Sequence, residues 1–249
     1  MSRVRKAYTA RLAGRCLIFA GCLFLFFHNP EELDILQGEN FFRKFSVLHI
    51  LWGIWMADMA FQLIPVNAGL ALGSHKVFLK YFKPAGRQDQ EQALKDYMKQ
   101  AAKGAGKVFA LWFALTSIMG ILHRKGILDD SLLFMASAAF YVCDLVCVVI
   151  ICPFRFIMGN RCCTTCRIFN WDHLMMFAPM VYIDGFYPRS LFIMALAVWG
   201  MWEIYVFKYP ERFWEGSNMA LRCSQCTDKL CPFFDRFILK GIKKYDINL

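Results

Sequence analysis

Seven of the eleven cysteines fall in two short, polar-flanked clusters, each directly after a hydrophobic stretch. The first holds Cys152, Cys162, Cys163 and Cys166; the second holds Cys223, Cys226 and Cys231. Each contains a Cys-x-x-Cys, the spacing at which two thiolates grip one metal centre. Neighbouring Arg161, Arg167, Arg222 and Lys229 favour the thiolate form. Cys163, Cys166, Cys223 and Cys226 would make a closed zinc tetrahedron. An iron–sulfur cluster would draw four ligands from the seven. Cys152 and Cys231 each precede a proline, as the last ligand of bacterial ferredoxin runs does. Palmitoylated or redox-sensing thiols are the third reading. The cysteine–proline steps and the surplus of thiols favour iron–sulfur over zinc.

Acids form a second set. Asp58, Asp144, Asp184 and Glu203 stand within apolar stretches, where an ionisable group costs several kcal/mol unless paired or hydrated. Asp58, Asp144 and Glu203 fall at about the same depth at 1.5 Å of helix per residue. Three carboxylates at one level would serve a proton or cation path. The alternative is that each is satisfied separately, by groups such as Tyr141 or Tyr205. His28, His49 and His123 fall near outer span ends, where an axial pair would hold a haem, although interfacial histidines with their tips in water explain the same pattern. His173 lies beside Asp172 at the inner end of a weak span. Cys16, Cys22, Cys143 and Cys147 lie inside spans and read first as small packing residues.

The elements that must position these groups are membrane helices. The chain is 58% hydrophobic and 16% aromatic, only 19% charged, with mean hydropathy +0.38. A soluble domain of 249 residues cannot hide so much apolar surface, so the bilayer is the expected partner. A crossing needs about 20 apolar residues. Candidate spans cover about 12–28, 45–66, 107–123, 132–152, 174–188 and 190–207. The fifth is the weakest, since it is short, contains Pro179 and Asp184, and ends at Gly185-Phe186-Tyr187-Pro188. A broken helix or a re-entrant pair is expected there. The N-terminal apolar run lacks a small-x-small cleavage site and is read as an uncleaved span.

Lys and Arg collect on the cytoplasmic side. With six spans and an inner N-terminus, 24 of the 29 basic residues lie inside. That asymmetry explains the net charge of +10 without nucleic acid, for which no binding motif is present. The inner loop 73–106 is expected to carry a basic helix, either on lipid headgroups or as a solvated extension of the third span.

The expected fold is all-α. It is a polytopic integral membrane protein of the cell membrane, with about six transmembrane helices over 1–207 and both termini cytoplasmic. A cytoplasmic cysteine-rich metal platform joins loop 152–173 to the tail 208–249. The first expected function is a membrane redox protein with a cysteine-ligated iron–sulfur centre and a redox partner protein. The alternative is a small-ion or solute transporter using Asp58, Asp144 and Glu203, braced by a structural zinc. A scaffold whose cysteine knuckle binds a cytoplasmic partner is a third class. No nucleophile–base pair marks an enzyme.

Overall fold

The computed structural model describes residues 3–63, 76–77, 81–85, 91–159, 166–222 and 224. Its described residues are helical, with two isolated bridges and no strand. The main helices are α1 (Arg3–His28), α2 (Leu48–Leu63), α3 (Glu91–Arg124), α4 (Asp130–Val149), α5 (Asp172–Phe177) and α6 (Phe186–Lys208). Four of them, α1, α3, α4 and α6, are long and apolar enough to cross a membrane. That is compatible with a membrane protein.

The helices are apolar on the outside as well as the inside. Phe24, Phe27, Phe61, Phe113, Ile193 and Phe207 are exposed on helix faces. In water such a surface would drive association; in hydrocarbon it costs nothing. The core is built around Trp55, which is fully buried and meets the rings of Phe134, Tyr141 and Phe177. α1 packs along α4, and α2 along α6.

Three segments bear on the expected spans. α2 has 16 described residues, with 64–66 of the expected span 45–66 outside the described chain. The expected inner helix and the third span are one continuous helix, α3. Gly104, within this helix, lets Met158 pack close: a Cβ there would lie 3.0 Å from the Met158 sulfur. Finally, 174–188 is not a single helix. α5 gives way to a 3-10 turn at Ala178–Tyr182, then to extended Ile183, before α6 begins at Phe186. Pro179 stands in the first turn of that 3-10 segment, where its missing N–H is harmless. Pro179, Met180 and Ile183 are buried in protein, the condition for irregular backbone at such depth.

Two pins fix the ends of the bundle. At one end Gly38 donates to the Asp184 carbonyl at 2.7 Å and accepts from Phe186 N–H at 3.2 Å. Gly38 has φ +53°, and a Cβ on Gly185 would fall on the Leu36 carbonyl, so both glycines are required. At the other end Asn218 is fully buried. Its amide donates to the carbonyls of Lys76 and Arg212, and its oxygen accepts from the N–H groups of Lys83 and Ala220.

Candidate functional site

α4 carries Tyr141 and Asp144 three residues apart, on one face of the helix. The Tyr141 carbonyl and the Asp144 carboxylate are therefore presented together. Arg15 of α1 meets both, donating from Nη1 to the Tyr141 carbonyl at 2.8 Å and to Asp144 Oδ2 at 2.5 Å. Its guanidinium also lies 4.1 Å from the centre of the Tyr141 ring. The other terminal nitrogen reaches Asp58 Oδ2 of α2 at 3.5 Å. The Arg15 side chain is only 9% exposed.

The network continues through Asp58. His173 Nε2 lies 3.5 Å from the same Asp58 oxygen, and its Nδ1 lies 3.2 Å from Asp172 Oδ1. Gln62 is one helical turn from Asp58 on α2 and closes this end. Its amide donates to Asp172 Oδ2 at 3.3 Å and approaches His173 Nδ1 at 3.2 Å. The His173 side chain is 1% exposed. Three carboxylates thus face one guanidinium and one imidazole. Gln62 Oε1, Asp172 Oδ1 and His173 Nε2 are buried without a well-formed hydrogen bond among the described residues. Ionisable groups held within an apolar bundle are of the kind that serve proton and ion pathways.

Beside it lies a cavity of about 240 Å³. Asp144 and Asp172 form part of its wall, and so do Cys143, Cys147, Cys152 and Cys166. The cavity lies between the end of α4, the helical turn Phe154–Met158, the 3-10 segment Arg167–Trp171 and α5. Cys147 and Cys152 are hydrogen-bonded to one another.

The sequence-derived candidates separate into groups. Asp58 and Asp144 converge on Arg15. Glu203 does not join them: it pairs with Arg167 at 2.5 Å and accepts from Trp171 Nε1 at 2.9 Å. Asp184 pairs with Arg189 on an exposed edge. Of the seven clustered cysteines, Cys152 and Cys166 line the cavity. Cys162, Cys163, Cys223, Cys226 and Cys231 lie outside the described residues. Among the described residues no three His, Cys, Asp or Glu side chains are disposed around one metal position.

The histidines named as haem ligands are engaged locally. His28 contacts the Phe24 carbonyl, His49 contacts the Phe41 and Ser46 carbonyls, and His123 contacts the Leu128 carbonyl. The groups that sequence reasoning missed are Arg15, Gln62 and the Asp172–His173 pair as members of the network. Arg15 had a signal: it stands immediately before the apolar run Cys16–Phe27.

Compared with known family models, curated proteins and solved structures, the chain matches none of them.

Proposed function

We propose that the protein is an integral membrane carrier for a proton or small cation, with the Arg15–Asp58–Asp144–His173–Asp172 network as its path. One observation carries this reading. Five ionisable side chains from four helices meet inside an apolar bundle. Charge placed in hydrocarbon is costly and marks ion pathways and proton relays. The proposed frame is six crossings, with α2 as the second and the broken segment 174–188 as the fifth. Both termini are placed inside, so the cysteine-rich loops face a reducing cytoplasm.

The test is flux. Purified protein is placed in liposomes loaded with a pH-sensitive dye, under a potassium-diffusion potential. Protons, alkali cations and monovalent copper are offered in turn. The reading expects flux above empty liposomes for at least one of them, lost in Asp58→Asn and Asp144→Asn. Wild-type flux equal to that of empty liposomes for all of them overturns it.

A second reading rests on a separate observation. Cys152 and Cys166, the ends of the first cysteine cluster, line one cavity. That supports a cysteine-ligated iron–sulfur centre in a membrane electron-transfer protein, in which the carboxylate network would handle the accompanying protons. Protein purified without oxygen would then contain iron with matching sulfide and absorb in the blue. Zinc near one per chain, without colour, would make the cysteine site a structural brace and leave the carrier reading in place.

A further inference from the structure

The wall of the cavity beside the network is rich in sulfur. Six of its side chains are Cys143, Cys147, Cys152, Cys166, Met175 and Met176. Most of the rest are aromatic or aliphatic, including Trp112, Phe140 and Phe154. Four of the six described cysteines therefore face one space of about 240 Å³. Packing alone does not ask for this, because α1 places its own cysteines elsewhere. Cys16 is exposed and Cys22 is in the core against other elements.

Donor chemistry narrows what such a space takes. Hard cations such as sodium, magnesium or calcium ask for several oxygen ligands. The cavity offers two carboxylates, and both are engaged, Asp144 by Arg15 and Asp172 by Gln62 and His173. Thiolates and thioethers select monovalent copper. A d¹⁰ monovalent ion is satisfied by two sulfurs. The hydrogen-bonded pair Cys147 and Cys152 already brings two sulfurs together, and Met175 and Met176 add thioethers to the same wall.

We infer that this cavity is a binding site for a thiophilic monovalent cation, Cu(I) or its analogue Ag(I), held between Cys147 and Cys152. Two metal–sulfur bonds form and two S–H bonds break. One cation enters and two protons leave, with no change of oxidation state. The binding site stands without the carrier reading; that this cation is the cargo rests on it.

Protection from alkylation tests the site. The probe is Ag(I) alone, added to detergent-solubilised full-length chain, followed by a membrane-permeant maleimide and peptide mass spectrometry. A chain with serine at 162, 163, 223, 226 and 231 removes competing loop thiols. One equivalent of Ag(I) is expected to slow labelling of Cys147 and Cys152 about tenfold, while Cys16 is unaffected. If that variant does not fold, the wild-type chain titrated to saturation must show the same two residues protected. Unchanged labelling of Cys147 and Cys152 at saturating Ag(I) overturns the proposal in either chain. Flux in wild-type liposomes reads the carrier separately: no protection with flux intact sinks only this site, and protection without flux sinks only the carrier.

Discussion

Arg15 and Asp144 are joined across α1 and α4 at 2.5 Å, and this one contact anchors the buried network. Both residues come from helices that expose apolar side chains outwards. The pair is largely enclosed by protein, with the Arg15 side chain 9% exposed. Removing one partner is therefore worse than removing both, because the survivor is left buried and unneutralised.

Arg15→Gln is accordingly expected to destabilise the fold by about 3 kcal/mol, since it strands Asp144 and weakens the hold on Asp58. Arg15→Gln with Asp144→Asn is expected to recover a large part of that loss. Thermal unfolding in detergent, followed by size-exclusion of the surviving monodisperse fraction, measures both. A single variant as stable as the parent would show that the pair carries no structural charge.

Glu203 provides the internal control for the ion path. It bonds Arg167 and Trp171 rather than the Arg15 network. Glu203→Gln is expected to leave flux within about twofold of wild type while lowering stability by roughly 1–3 kcal/mol, through the weakened Arg167 contact. Asp58→Asn is expected to do the reverse, abolishing flux with a smaller loss of stability. Equal loss of flux in both variants would return Glu203 to the path.

This contrast shows what a sequence makes legible. Depth is expected from counting residues along a helix, which is how the sequence groups Asp58, Asp144 and Glu203. Azimuth and neighbour identity depend on how helices pack, and that is where Glu203 parts from the others. In the sequence Arg15 is one of the inner basic residues, next to the apolar run Cys16–Phe27. The helix in fact starts at Arg3, which carries Arg15 inward to the level of Asp144. The broken segment was legible from Pro179 and Gly185, whose backbone limits are local. The role of Asn218 was not, because its partners at Lys76 and Lys83 lie more than 130 residues away.

Gly185 is expected to be intolerant of even one methyl group. A Cβ there would meet the Leu36 carbonyl, which is backbone and cannot swing aside. Gly185→Ala is expected to cost about 1–3 kcal/mol, the usual range for overpacking, and to break the Gly38 hydrogen bonds to Asp184 and Phe186. Faster amide exchange at Gly38 and Phe186 would report it. Unchanged exchange would mean that the two segments are held together by other contacts.

Asn218 is the most demanding polar residue outside the network. Its amide donates twice and its oxygen accepts twice, all within a fully buried setting. Asn218→Ala removes four bonds and leaves backbone groups of Lys76, Lys83 and Arg212 short of a partner. Each buried group left unpaired costs about 1–3 kcal/mol. Asn218→Asp keeps the shape and both acceptor contacts but offers no amide donor to the Lys76 and Arg212 carbonyls. Both variants are expected to open the segment around 76–85 to limited proteolysis, with Asp at least as damaging as Ala because its charge faces two carbonyl oxygens. If Asp protects as well as Asn, the two donor bonds are not what holds the segment, and the acceptor contacts to Lys83 and Ala220 suffice.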